Sequence, residues 1–545
     1  MKIRNISTSI ALAGVLMATA GCKDFYDVNT NPLSPSKVDL RDLLPVTQVS
    51  MASGLGDNTN GLSQYTMALM TQLYNTRGIN NYQQTGDSFA NAWSTLYSDM
   101  LVNNEQIIKQ GTTEQQWGYV GVAQLQKAYV FSQMVDVWGD IPYSEALQGA
   151  TNTAPHFDKD SDIYNGSADG KIQGLFSLID EGLANLAKPS TNIQLTSVDL
   201  IYKGNLAKWS RFGRTLKLKL YNQLRKTTDV ATFRSQVTPL LAADLIDSGD
   251  DFELPYYNSL SPDNRNLGYI ADYGNAAPES RIGRYFYEDM FTKNDPRIRY
   301  YFYRQSSTPI SGQDYVSPLD PRFSTVRPGS TGQYASTISS TQQTVQGLYP
   351  IGGKYDDGSG QAVTAISGKG SVAQRLLTYF SRKYTEAEIQ LMAFNDAVAA
   401  RTALRTALYA SFNKVNTIAI ADGSPQIDTT STGSGGRYIL TALRGFDRAT
   451  SAEAKLAVVM YEKYVASFGY GVDVYTDFRR TTYPNIHVSQ QAADASRGLL
   501  PDDGGTVATA QFPRRFYYAT NDLLLNPNSP RVQKDPVTSR IFWDR

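Results

Sequence analysis

Apolar residues recur every three or four positions over Leu40 to Tyr74, Phe89 to Gln110, Glu114 to Trp138, Ile172 to Leu186, Asn205 to Lys226 and Val230 to Leu245, and this spacing predicts helices throughout. In the fifth stretch Trp209, Phe212, Leu216, Leu220 and Leu224 form one stripe that must be packed, while Lys208, Lys217 and Lys219 are expected to reach water. From about Phe252 the texture changes: Gly, Ser, Thr, Asn and Pro accumulate, most densely from Arg327 to Ser371, and helical periodicity fades. It returns at Tyr384 to Phe412 and Ala452 to Phe468, with Gly433 to Gly436 and Gly504-Gly505 punctuating further loops. The pattern predicts a mainly α protein, a succession of helical hairpins without a clean 34-residue consensus repeat, carrying a long irregular insertion with short strands. One domain is expected over 40–545, with scaffold at 40–251 and 376–500, a loop-rich ligand-facing region at 252–375 and an irregular C-terminal segment at 501–545. Loops of that length in compact proteins usually carry function.

The start of the chain has another character. Lys2 and Arg4 precede a short apolar stretch, Ile6 to Ala18, and no acid occurs before Asp24, which is the layout of a secretory signal too short to span a bilayer comfortably. Thr19-Ala20-Gly21-Cys22 reads as a lipobox, so residues 1–21 are expected to be removed and Cys22 lipidated. The competing reading is an ordinary signal peptide with an incidental cysteine. Residues 22–39 then form a tether, beginning with Lys23-Asp24 and Asp27. Two or three acyl chains hold a protein at a membrane firmly where one is marginal. No later stretch offers 18 uninterrupted apolar residues, so the lipid is the expected anchor.

Composition narrows the function classes. With 41% apolar and 19% charged residues the chain is neither disordered, collagen-like nor polytopic. Lys plus Arg and Asp plus Glu both number 51, which leaves no positive field for a phosphate backbone and makes nucleic acid a poor partner. A single cysteine excludes an internal disulfide or a thiolate zinc cluster, and the two histidines, His156 and His487, lack metal-ligand spacing. No phosphate cradle or nucleophile elbow is present, since Gly368-Lys369-Gly370-Ser371 and Gly433-Ser434-Gly435 lack the required spacing; neither a cofactor nor a resident metal is expected. Asp158, Asp160, Asp162 and Asp169 imitate a calcium loop, but Ile163 stands where its glycine belongs, which favours a solvated loop with Asp162 capping the next helix. Glu386 with Glu388, or Asp473 with Asp477, could make a glycosidase pair only if held the right distance apart across a cleft. No catalytic residue is assigned.

Tyrosine is in excess, 35 against 5 Trp, and its flat ring with a polar edge suits wet ligand surfaces. The five Trp fall in or beside helices or at the chain end and read as core. Arg77, Asn81 and Tyr82, in a short loop between helices, and Tyr315, Tyr334, Tyr349 and Tyr355, in the irregular region, are therefore the candidate ligand-binding residues. Two or three stacks of ~0.5 to 1.5 kcal/mol plus hydrogen bonds imply roughly millimolar to micromolar affinity.

Several segments, in order, resemble the SusD/RagB family of Bacteroidota outer-membrane lipoproteins. They are Asp27-Val-Asn-Thr-Asn-Pro32, Trp93-Ser-Thr-Leu-Tyr97, Lys127 to Leu147 with its Trp138-Gly139-Asp140-Ile141-Pro142-Tyr143 turn, and Asp199-Leu-Ile-Tyr-Lys-Gly204 leading to Trp209. Asp295-Pro296-Arg297, Tyr384 to Glu388, Asp477-Phe-Arg-Arg480 with Tyr483-Pro484, and Arg514-Arg515 with Asn526 complete the series. The resemblance implies a tetratricopeptide-like helical scaffold with an irregular ligand-facing part, held at the outer membrane as a lid on a SusC-like TonB-dependent transporter. It implies oligosaccharide as cargo, with peptide the alternative within the family. A secreted helical glycosidase is the alternative of another class.

Overall fold

A computed structural model gives the fold over residues 38–56, 61–75, 82, 84–275, 277–311, 316–326, 338–484 and 512–545. The leader at 1–21, Cys22 and the tether as far as residue 37 lie outside these, as do His487 and Gly504-Gly505. The protein is mostly helical with a few short strands, as the hydrophobic spacing predicts. Helices α1 (Leu40–Gly56), α2 (Leu62–Leu69), α3 (Val102–Thr113), α4 (Trp117–Trp138), α5 (Leu175–Leu186), α6 (Leu206–Gln223) and α7 (Val230–Leu241) make the first half. A helical run from Ala90 leads into α3 through a π-helical stretch at Thr95–Leu101. α8 (Arg284–Thr292) lies inside the insertion, and α9 (Tyr379–Met392), α10 (Ala397–Asp422), α11 (Ser434–Arg448), α12 (Ala452–Ala466) and α13 (Gly471–Thr481) follow it. α3 packs on α4, α9 on α10 and α11 on α12, each pair being consecutive helices, and α4 packs on α5 across the short helix Asp160–Asn165. α4 sits at the centre: of its 22 residues only Trp117 and Lys127 escape full burial, which is why its apolar positions run round the whole helix.

α6 shows how sequence fixes packing. Asn205 caps it by accepting from the Lys208 N–H, and Trp209, Phe212, Leu216, Leu220 and Leu224 are all buried, each side chain contributing about 1.5 to 3 kcal/mol. Lys208 and Lys217 reach the rim and pair with Asp250 and Asp180. Lys219 does not reach water. Its side chain is 11% exposed and its ammonium lies 3.1 Å from Asp473 on α13, an element whose approach the periodicity of α6 alone does not reveal.

Three element assignments need correction. The periodic stretch Leu40 to Tyr74 is two helices followed by strand β1 (Leu73–Asn75), because that last part pairs with a strand of the insertion and tertiary pairing overrides local spacing. Tyr384 to Phe412 is the hairpin of α9 and α10, turned at Asn395 (φ 53°) and restarted by Asp396, whose carboxylate accepts from the Val398 and Ala399 N–H groups. Gly433 to Gly436 is the start of α11 rather than a loop. A Cβ on Gly436 would lie 1.8 Å from the Thr430 carbonyl oxygen, so only glycine lets the helix begin against that turn.

The insertion is tied to the scaffold by antiparallel two-stranded ladders. β4 (Phe252–Leu254) and β8 (Gln374–Leu377) close its neck, with Phe252 opposite Leu377. β5 (Ser280–Ile282) pairs with β1, and β6 (Phe302–Tyr303) with β7 (Val345–Gln346). Elsewhere β2 (Ile141–Pro142) pairs with β3 (Phe157–Asp158).

The C-terminal residues return to the Trp138–Tyr143 corner. Gly139 ends α4 at φ 77°, a conformation that costs any residue with a Cβ. Trp138 Nε1 donates to the Tyr517 carbonyl, the Phe516 N–H donates to the Val137 carbonyl, and Arg515 donates to the Trp138 carbonyl. Arg479 on α13 bridges the layers, donating to the carbonyls of Asp136 (2.5 Å) and Arg514 (2.8 Å).

Asp136, fully buried beneath this corner, accepts from Tyr164 Oη (2.6 Å) and Trp543 Nε1 (3.0 Å). Burial pushes its carboxyl up to about 6, against ~3.9 in an unfolded chain. The folded state thus holds a proton that the unfolded chain releases. Asp136's contribution is fully present below pH ~4 and is lost as pH rises through about 6. Asp136→Asn keeps an acceptor for both donors and is expected to raise stability at pH 7 by about 2 kcal/mol while flattening the loss between pH 4 and 7. Urea unfolding of both proteins across that range checks this, and parallel pH profiles would refute it.

Candidate ligand-binding surface

The loop-rich region presents an aromatic platform built from two segments far apart in the chain. The short helix Ile298–Tyr301 carries Arg299 and Tyr300, and the loop leaving the turn at Leu348–Ile351 carries Tyr355. The Arg299 guanidinium Nε–H donates to the Asp356 carbonyl (2.8 Å) and the Asp356 backbone N–H donates to the Arg299 carbonyl (2.9 Å), which sews the two together. This places the guanidinium 4.9 Å from the centre of the half-buried Tyr355 ring, with the Tyr300 ring also 4.9 Å away and tilted. Tyr300 Oη donates to the Pro425 carbonyl (2.5 Å), and the Gly358 N–H donates to the Asp356 carboxylate, so both flanks of the platform are anchored. Burial raises the Tyr355 hydroxyl above its ordinary pKa and keeps it a donor at neutral pH. A half-open ring flanked by a cation can stack on the apolar face of a sugar and hydrogen-bond its hydroxyls.

A cleft of about 220 Å³ opens between the same region and α10. Its polar wall holds Glu253, Lys369, Ser371, Lys414, Thr417 and Asp422. Lys414 Nζ lies 2.7 Å from Glu253 and 2.8 Å from Asp251. Burial works against the charged ammonium, but these two carboxylates outweigh it and hold the Lys414 pKa above its usual value. Burial, with Asp251 adding to it, raises the Glu253 carboxyl. Lys369 donates to the Ala421 carbonyl (2.8 Å) and so latches the loop to the end of α10.

The seven candidate residues fall into different places. Tyr355 carries the half-open ring. Tyr349 is 1% exposed, its ring stacked 5.0 Å from Tyr301 with the Arg375 guanidinium 4.0 Å above it, a core position. Tyr82 is also buried, edge-on to Phe512 at 5.8 Å. Arg77, Asn81, Tyr315 and Tyr334 lie outside the described residues. Sequence reasoning missed Arg299, Tyr300, Lys369 and Lys414. Arg299 and Tyr300 stand just after the Asp295-Pro296-Arg297 motif, but their pairing with residues more than fifty positions on has no local signal.

The acidic pairs are committed elsewhere. Glu388 is fully buried between Arg480 and Arg225, Glu386 pairs with Arg382 and Lys383, Asp473 with Lys219, and Asp477 with Arg480 and Lys463. Asp158 accepts from Ser144 and Asp160 from the Phe542 N–H, while Asp169 holds its own turn through Ser167 and Lys171. Asp162 lies within the first turn of the helix Asp160–Asn165 and does not cap it. Lys159 occupies the cap, because Asp160 already begins the helix. Among the described residues no three His, Cys, Asp or Glu side chains converge as a metal site.

A family model, SusD-like, described as starch-binding associating with outer membrane, matches residues 32–518. No curated protein sequence matches the chain. Among solved structures, a SusD/RagB family protein from Bacteroides thetaiotaomicron is 20% identical, with TM-score 0.70 over 93% of this chain and 99% of that one. A SusD homolog from Bacteroides fragilis is 18% identical, with TM-score 0.66 over 93% and 100%. A chitin-binding SusD homolog from Flavobacterium johnsoniae is 17% identical, with TM-score 0.66 over 92% and 98%. At these identities the likeness is one of fold.

Proposed function

Because this chain belongs to the SusD-like family of outer-membrane-associated starch-binding proteins, we propose that it is a cell-surface lipoprotein that captures oligosaccharide and passes it to a SusC-like TonB-dependent transporter. The observation that carries the cargo is the Tyr355 platform: a half-open ring beside a guanidinium and backed by the buried ring of Tyr300, fixed by one side-chain and one backbone hydrogen bond between Arg299 and Asp356 in the loop-rich region. Beside it the 220 Å³ cleft offers donors and acceptors of both charges, as hydroxyl-rich ligands require. The lipobox at Cys22 supplies the anchor, and no described helix is long and apolar enough to cross a membrane. Binding without turnover fits the carboxylates, since those with the best claim to an acid–base pair are held by arginine and lysine.

Tyr355→Ala is expected to weaken binding of a starch or chitin oligosaccharide by about tenfold, the worth of one good stack. Titration calorimetry of the variant beside the unsubstituted protein measures this. Unchanged affinity, with binding intact, would remove the platform from the site.

A further inference from the structure

A larger cavity, about 360 Å³, lies apart from the Tyr355 platform, between α11 and α12 of the helical scaffold and the end of α8. Its walls include the rings of Tyr438, Tyr461 and Tyr483, and Ala457 and Val458 from the partly open side of α12. Two charged groups face it, Lys293 from the end of α8 and Glu462 from α12. Lys293 Nζ sits 2.9 Å from the centre of the Tyr461 ring. No described oxygen accepts from this ammonium, so the N–H groups turned away from the ring lack an acceptor. Glu462 is held in place: Tyr438 Oη donates to its oxygens at 3.0 and 3.2 Å, and Arg297 approaches at 3.4 Å.

The charges decide the ligand. Lys293 and Arg297 balance Glu462 and Asp295, and Asp289, one turn before Lys293, adds a carboxyl that burial pushes up to about 6. A second anion would meet those carboxylates and a cation would meet Lys293, so a neutral ligand fits best. The wall pairs a donor-only group with an acceptor-only group beside three rings, and that set complements a pyranose, whose hydroxyls both donate and accept and whose face is apolar. The volume is near the lower end of ligand sites, ~300 to 1,000 Å³, which suits one or two sugar rings rather than a long chain. We propose that this cavity is a second carbohydrate site, taking a neutral monosaccharide or disaccharide unit between α11 and α12. It rests on the oligosaccharide-capture reading and adds to it a scaffold site selective for short, uncharged ends.

The test uses the whole mature chain and saturation-transfer NMR with maltose, N,N′-diacetylchitobiose and glucuronate, beside calorimetry with maltoheptaose and chitohexaose. At least one neutral disaccharide is expected to bind. Lys293→Met should weaken it by about tenfold, the loss of a charge-assisted hydrogen bond. Ala457→Trp, which fills the cavity from a half-exposed position of α12, should abolish it, and Ala442→Trp, from the α11 side, should do the same. Disaccharide binding that survives both tryptophan variants, or a preference for glucuronate, overturns the proposal. Absence of disaccharide binding while the long oligosaccharides bind overturns this site alone, whereas silence from every sugar removes the capture reading with it.

Discussion

Glu388→Gln is expected to lower the unfolding free energy by about 3 to 5 kcal/mol, the range for breaking a buried ion network from one side. Glu388 is fully buried and accepts from both Nη atoms of Arg480, from Nε and Nη2 of Arg225, and from Asn222 Nδ2 at 2.9 Å. Burial opposes its charge, but Arg480 and then Arg225 outweigh burial and hold the carboxyl well below the usual range. Neutralising it leaves Arg480, itself 1% exposed, with Asp477 as its remaining carboxylate. The network joins α9 to α13 and α6, so the damage is to the scaffold and not to one turn. Because the folded pKa is depressed, the contribution is present above the unfolded value of ~4.3 and is lost as pH falls below it, opposite in sign to Asp136. Replacing both partners, as in Glu388→Met with Arg480→Met, should recover part of the loss, since the fully buried Arg480 charge goes with its partner and Asp477 keeps Lys463, while Arg225, 11% exposed, is left without its carboxylate. Urea unfolding gives the values; a single-variant loss below about 1 kcal/mol would show that the network carries little of the fold.

Asp199→Ala comes next, with an expected loss of about 3 kcal/mol from stranding several buried donors at once. Its Oδ1 accepts from Gln48 Nε2 (2.8 Å) and the N–H groups of Ile201 and Tyr202, and its Oδ2 accepts from the Gly204 N–H and Trp209 Nε1, both at 2.8 Å. One carboxylate thereby fixes the turn before α6, orients the first residue of the apolar stripe, and ties both to α1. Asp199→Asn, which offers a single acceptor oxygen, should lose roughly half as much. A thermal melt of the three proteins orders them as native, Asn, Ala, and an alanine variant that melts with the native protein would refute the assigned role.

This Asp199 cluster also explains what could be read in advance. Asp199 to Gly204 and Trp209 form a local unit, legible in the sequence as a motif of the resembled family, and the apolar stripe of α6 is legible from its spacing. What could not be read depends on distant partners. Lys219 looks like a surface lysine until α13 brings Asp473 against it. Tyr349 and Tyr355 are six residues apart in the same irregular stretch, yet Tyr301 and Arg375 enclose one ring while Arg299 leaves the other half open. The glycines before Arg437 carry the signature of a loop, and only the nearness of the Thr430 carbonyl makes them a helix start.

Capture of oligosaccharide is tested most directly by calorimetric titration of the protein beginning after Cys22 with maltoheptaose, chitohexaose and a defined peptide pool. Saturable sugar binding between roughly micromolar and millimolar, the range expected of two or three stacks with hydrogen bonds, is the predicted result. Saturable peptide binding with no response to either sugar would contradict it and assign the same scaffold to peptide cargo.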